Sequence, residues 1–307
     1  MTLEELLELS SPPPGLELSR EELTRFFWKY KGLVKQWERA QSFWATTNDN
    51  LKGAYVKLDE QEQELARAYG IIQDDLLVGS QVQQALLPRD ADALGPNFEV
   101  AIYHKQLTEV GGDYYDYFRT GSGNPAVGVF DISGHGVSAA LVMAYLKAQF
   151  VQIMDRFDSP REIVEWVNNA SYTFLRDVKK YATVNFVVFR EDHIAYVAGG
   201  GFGLLVGQGK SSTFEKGQHF LGLRTKPFSE ATLPFKTGDL LALYTDGIIE
   251  AQNSQSQDYT IRRLNNLIES NAHLSCQEIL DVCLADYTKF REKDSDDITL
   301  LILRKVA

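Results

Sequence analysis

A chain of 307 residues with 44% apolar content is long enough for one large domain plus a smaller element and can supply a real core. Its net charge of −11, with a pI near 5.0, argues against a phosphate-backbone binder, whose affinity rests on clustered Lys and Arg, so no nucleic-acid partner is expected. No stretch approaches the roughly 20 apolar residues of a membrane span, and the acidic opening MTLEELLELSSPPPG lacks the basic start and apolar run of a secretory signal. No membrane and a cytoplasmic location are therefore expected.

Residues 11–15, SPPPG, cannot be helical and mark 1–18 as a flexible tail. Ser19, with Glu22 three residues on, forms a capping box that starts a helical segment over 19–88. Steps of seven from Leu23 land on Tyr30, Trp37, Trp44, Leu51, Leu58, Leu65, Ile72, Gly79 and Leu86, so nine of these ten positions are apolar or aromatic. The intermediate series from Phe26 is poorer, which does not support a two-seam coiled coil along the whole length. Gly32, Gly53, Gly70 and the stretch TTNDN at 46–50 are weak helix sites, so two or three helices are expected instead of one rod. Two readings stay open: a bundle packed on its own neighbour, or a homodimerising, regulatory helix, which the narrow apolar stripe on a charged background favours. Pro88 ends the segment.

From residue 97 the pattern changes to short runs rich in Val, Ile, Phe and Tyr, punctuated by Gly: 98–104, 115–118, 126–131, 183–189, 193–198, 203–207, 239–246 and 298–304 read as strands. Helical periodicity falls at 137–155, at 160–178 and at 259–290 in two pieces split near Asn271. Strands and helices come in groups and do not alternate, so an α+β layered sandwich is favoured over a doubly wound parallel sheet. The two cysteines, Cys276 and Cys283, sit about two turns apart on one helix and cannot pair, which suits a reducing compartment.

Acidic clusters mark the strand ends and Gly-rich turns of this region: Asp113 with Asp116 in EVGGDYYD, Asp131 in VFDISGHG, Asp246 with Glu250 in LYTDGIIE, and Asp296 with Asp297 in DSDDITL. Carboxylates emerging from the rim of an apolar core need a counter-charge, and several oxygen donors from separate segments suit hard divalent cations. The five histidines show no paired spacing of the zinc kind. Gly111, Gly112, Gly134, Gly136 and Gly247 let backbone pass close to a metal or phosphate.

The ordered set QVQQALLP, EVGGDYYD, FDISGHGVSAAL, GDLLALYTDGIIEAQN and DDITLLIL, over about residues 80–305, resembles the PPM-type metal-dependent phosphatases of the bacterial SpoIIE/RsbU-like branch. That resemblance implies an α-β-β-α sandwich of two antiparallel sheets over 89–307, with two Mn²⁺ or Mg²⁺ ions at the sheet edges. It implies that Asp131 bridges both ions, that the Ile132 carbonyl adds a ligand, that Asp246 and Asp296 complete one shell, and that Asp113 serves the other ion directly or through water. Two such ions about 3.5–4 Å apart would activate a water for in-line attack on a phosphoserine or phosphothreonine of a regulatory protein, by resemblance an anti-sigma-factor antagonist. His135 is either a proton donor to the leaving oxygen or a turn residue that keeps Asp131 aimed. Asp116, Glu250 and Asp297 are expected to orient loops.

Two departures bear on the substrate face. Relatives usually carry Pro-Ala where this chain has Gln106-Leu107-Thr108, and often an Ala-Gly-His-Asn turn where it reads Ala198-Gly199-Gly200-Gly201. No sensor domain is recognisable, so an upstream regulatory protein is expected to supply the signal. The rival readings are a catalytically weak phosphatase-like binding module and a nucleotide cyclase built on Gly111-Gly112-Asp113 in a ferredoxin-like domain.

Overall fold

A computed structural model describes residues 19–207, 209–214 and 218–307; the expected tail, 1–18, lies outside them. The chain divides into two units, one ending at Ile72 and the other running Gln73–Ala307.

Helix α1, Arg20–Leu86, is one continuous element of 67 residues. Its start is the expected capping box: Ser19 N–H donates to Glu22 Oε2 at 2.8 Å, and Glu22 N–H donates to Ser19 Oγ at 3.3 Å. The expected breaks at the glycines do not occur. A lone glycine costs a helix only about 1 kcal/mol, which cooperative propagation on both sides absorbs. A side chain at Gly32, Gly53 or Gly70 would meet nothing within 4 Å, so these glycines serve no close packing. The seven-residue stripe is solvent-exposed from Tyr30 to Ile72, with Trp37 at 61% and Trp44 at 70%, and half-buried at Leu23, Gly79 and Leu86.

The larger unit holds two five-stranded antiparallel sheets. In the first, β1 (Phe98–Lys105) lies beside β10 (Ile298–Lys305), followed by β9 (Leu240–Tyr244), β6 (Phe202–Gly207) and β7 (Lys210–Thr213). In the second, β2 (Tyr114–Arg119) is followed by β3 (Pro125–Phe130), β4 (Val184–Phe189), β5 (His193–Gly199) and β8 (Ala231–Pro234). Helices α2 (Val137–Ile153) and α3 (Pro160–Asp177) cover the second sheet; α4 (Asp246–Ile249), α5 (Ile261–Ser270) and α6 (Cys276–Phe290) cover the first.

Strand alternation creates three apolar layers. On β9, Leu240, Ala242 and Tyr244 face α5 and α6, while Leu241 and Leu243 face the other sheet together with Leu301 and Leu303 of β10. On β2, Tyr114 and Phe118 face α2 and α3, while Tyr115 and Tyr117 enter the inter-sheet core. Both faces of the central strands are thus buried, which is why they read as unbroken apolar runs. The expected α-β-β-α sandwich is what the chain forms, and two packed sheets exclude the single ferredoxin-like sheet of the cyclase reading. The strands β7 (KSST) and β8 (ATLP) carried no sequence signal: both are edge strands, four residues long and largely exposed.

Helix ends follow local chemistry. Ser159 caps α3 by accepting from Glu162 N–H, with Pro160 in the first turn, and Ser275 with Glu278 forms a capping box on α6. Cys276 and Cys283 are free and buried, and burial pushes both thiols up to about 12. Among the described residues no helix is long and apolar enough to cross a membrane.

Phe150 of α2 is fully buried, with its ring centroid 4.6 Å from that of Phe130 and 5.5 Å from that of Phe186. Phe150→Ala should cost about 3–5 kcal/mol, read as a lower urea midpoint at unchanged slope; a midpoint within error of the wild type would refute this core assignment.

Candidate metal centre

Asp113 precedes β2 and is 1% exposed. Its Oδ2 accepts the Thr245 hydroxyl at 2.8 Å and the Thr299 hydroxyl at 2.6 Å, while Thr299 N–H donates to Thr245 Oγ1 at 2.9 Å. Burial, then the nearby Asp131 charge, pushes its carboxyl well above the ordinary range. The His104 Nδ1 lies 3.0 Å from Thr299 Oγ1. With Thr299 donating to Asp113, Nδ1 is placed to donate to the Thr299 hydroxyl. Burial pushes His104 down to about 4, in keeping with a neutral ring.

Asp131 follows β3. Its backbone is fixed on both sides by Thr183: Asp131 N–H donates to Thr183 Oγ1 at 2.9 Å, and Thr183 N–H donates to the Asp131 carbonyl at 2.8 Å. The side chain is half-buried, and burial followed by the charges of Asp246, Asp296, Asp297 and Glu250 pushes it up to about 7. Asp246 opens α4, and burial, then Glu250 and Asp296, raises it to about 6. Asp296 is exposed at the mouth of a cavity of about 480 Å³ that Glu250, Gln252, Asn253 and Lys293 also line. The carboxylates of four separate segments thus act on one another, and the strongest electrostatic neighbours of Asp131 are all carboxylates.

Ile132 is buried, and its carbonyl lies 2.6 Å from where a Cβ on Gly112 would stand. Only glycine lets the two backbones approach this closely. His135 is exposed between Gly134 and Gly136, both at φ +78°, and its ring makes no hydrogen bond among the described residues.

Asp297, 3% exposed, clamps the loop before β2. Its Oδ1 accepts from Leu107 N–H at 2.7 Å, and its Oδ2 accepts from Gly112 N–H at 2.5 Å and, more weakly, from Asp113 N–H at 3.4 Å. Asp116 serves a different purpose: it accepts the Tyr114 hydroxyl at 2.5 Å and pairs with Lys147 of α2, tying that helix to the sheet. Sequence reasoning missed Thr245, Thr299 and Thr183. The available signal was a Thr one or two residues from a motif Asp, in LYTDG at the end of an apolar strand and in DDITL near the start of another.

The departures have structural counterparts. Gly200 has φ +77°, and a Cβ there would lie 1.7 Å from the Phe220 ring, which itself stacks on Tyr181 at 5.4 Å. Gly201 lies against the Asn185 amide. Phe220 and Asn185 therefore fill the space that a His-Asn pair would need. Gln106 packs its stem on Gly111 and leaves its amide nitrogen buried without a partner.

All donors here are oxygens, which suits Mg²⁺ or Mn²⁺ by chemistry. Among the described residues no three His, Cys, Asp or Glu side chains stand together as an assembled coordination shell.

The two-sheet architecture is that of PP2C-type phosphatase domains. It superposes on the SiaA-PP2C domain of Pseudomonas aeruginosa with a TM-score of 0.70 at 23% identity, covering 77% of this chain and 98% of that one. The PP2C domain of SpoIIE from Bacillus subtilis gives 0.57 at 16% identity, covering 67% and 63%. The family profile of Stage II sporulation protein E (SpoIIE) matches residues 121–306, and the chain belongs to that family. Among curated proteins of Bacillus subtilis (strain 168), it is 23% identical to phosphoserine phosphatase RsbU over 261 residues, 80% of this chain and 74% of RsbU. It is also 23% identical to phosphoserine phosphatase RsbP over 165 residues; that match spans 50% of this chain but only 40% of RsbP.

Asp297→Asn leaves one acceptor where the clamp uses two, at about 1–3 kcal/mol for a buried N–H left unsatisfied. Amide exchange at Leu107 or Gly112 should speed up accordingly; unchanged protection at both would refute the clamp.

Proposed function

We propose that this chain is a divalent-metal-dependent protein serine/threonine phosphatase that removes phosphate from a phosphoserine or phosphothreonine on a regulatory protein. The observation that carries this reading is that motif carboxylates of four segments bear on one another: the Asp131 charge on Asp113, and the charges of Asp246 and Asp296 on Asp131. Their carboxylates and the Ile132 carbonyl would hold two Mn²⁺ or Mg²⁺ ions. When bound, such ions supply Lewis acidity and neutralise charge building on a phosphate ester.

The chain's own residues fix and shield this centre. Thr245 and Thr299 occupy one oxygen of Asp113 and leave the other for a ligand. Asp297 holds the preceding loop by its N–H groups, and Thr183 holds the backbone of Asp131. His135, exposed on a loop between two glycines, can approach a leaving serine or threonine oxygen and protonate it. An open, partly exposed rim at Asp296 and Glu250 suits a protein substrate better than a small enclosed one.

RsbU and RsbP, which this chain resembles, are phosphoserine phosphatases, and the family resemblance points to an anti-sigma-factor antagonist as substrate. In this reading residues 89–307 are the phosphatase domain, and residues 19–88 are a dimerisation and regulatory segment. The exposed stripe at Tyr30, Trp37, Trp44, Leu51, Leu58 and Leu65 is a seam for a second copy, and an upstream partner would act through that segment.

p-Nitrophenyl phosphate should be hydrolysed with Mn²⁺ and not after chelation, and Asp131→Asn should lower turnover more than about 100-fold. A folded, metal-loaded wild type without turnover would instead make the chain a phosphatase-like binding module. The full chain should be a dimer by light scattering at micromolar concentration, and Trp37→Glu with Trp44→Glu should make it monomeric. A monomeric wild type would overturn the dimer assignment.

A further inference from the structure

Helix α1 buries one side chain among its described residues, and it is not one of its many apolar ones: Gln83 is 3% exposed. Its carboxamide meets the backbone of one residue on both sides. Nε2 donates to the Gly111 carbonyl at 2.7 Å, and Oε1 accepts from Gly111 N–H at 3.1 Å. One turn earlier on the helix, Gly79 lies beside the Val110 side chain, 3.6 Å from where its own Cβ would stand.

Satisfying the N–H and the C=O of a single residue takes a side chain that donates and accepts side by side, which a primary amide offers at any pH. Glu would lose the donor and Lys the acceptor. Gly111 needs such a partner. It is buried, so its peptide groups must be paired, and it cannot carry a side chain because a Cβ would lie 2.5 Å from Asp297 Oδ2. Asp297 takes the N–H groups of Leu107 and Gly112 but leaves both polar groups of Gly111 to Gln83.

We infer that Gln83 is a positioning residue for Asp113, fixing the Gly111-Gly112 turn that delivers this carboxylate to the centre. Two successive glycines give the backbone its widest freedom where the ligand oxygen must be placed within a fraction of an ångström. Ties from outside the turn remove that freedom. Asp297 supplies one from the start of β10, and Gln83 supplies the other from α1. The inference rests on the reading of Asp113 as a metal ligand.

The test titrates the full-length, metal-free chain with Mn²⁺ by calorimetry, so that it does not depend on turnover. Gln83→Met keeps the volume and removes both hydrogen bonds; Gln83→Ala removes the side chain. Ile279→Ala, in the core beneath α6, is the control for general destabilisation, matched by melting temperature. Both Gln83 variants should weaken Mn²⁺ binding about 10-fold or more, with faster amide exchange confined to Gly111, Gly112 and Asp113, while Ile279→Ala binds as the wild type does. Should Gln83→Ala fail to fold, Gln83→Met decides alone. Wild-type affinity in Gln83→Met, or an equal loss in Ile279→Ala, overturns the assignment. A wild-type chain that binds no Mn²⁺ would overturn the metal-centre reading itself, a result distinct from either.

Discussion

Repulsion among carboxylates gathered at the sheet rims is the constraint to which the surrounding residues answer. An unpaired buried charge is costly, and here several share one region, so most of them have a specific relief. Asp113, the deepest, leans on two threonine hydroxyls. Asp297 spends both oxygens on backbone N–H groups. Asp116 is drawn away to Lys147 and leaves the group altogether. Asp296 accepts the Asp297 N–H at 2.8 Å and Asp246 takes backbone N–H groups of its own turn, which leaves Asp131, whose charged neighbours are all carboxylates, the most burdened of the group.

This division of labour also explains why the two sheets meet as they do. Asp113 immediately precedes β2 in one sheet, whereas Thr245 immediately follows β9 and Thr299 lies in β10 of the other. The hydrogen bonds that hold the carboxylate are therefore bonds between sheets at their shared rim. The inter-sheet layer of Leu241, Leu243, Leu301 and Leu303 provides the adhesion, and the threonines set where the edges align. Packing gives cohesion without direction, and directional polar contacts choose the register.

Most of the fold was legible because its central strands are buried on both faces and so appear as dense apolar runs, bounded by the same Asp and Gly residues that mark the candidate centre. The two strands that escaped notice, KSST and ATLP, are edge strands with few apolar side chains to report a face. The span 239–246 was too long by a few residues because an Asp-Gly pair reads as a turn, whereas Asp246 opens a short helix. The principal carboxylates were visible as residue types in motif order. Their supports were not: Thr245 and Thr299 act through a proton on a hydroxyl, and a composition pattern carries no such direction. Gln83 was still less visible, since a glutamine on a charged helix is ordinarily a solvated residue, and its partner lies 28 positions away.

Asp297 has one more neighbour that matters. A side chain at Gly111 would strike its carboxylate, and a side chain at Gly247 would come within 2.0 Å of its backbone carbonyl. Two turns 136 positions apart in the chain are thus fitted around a single aspartate, and neither has room of its own to give. Loops of this kind are not interchangeable parts. A chimera that imports one turn from a relative without its matching counterparts would arrive with a misfit at Asp297, so exchange between such proteins should succeed only when all three segments travel together.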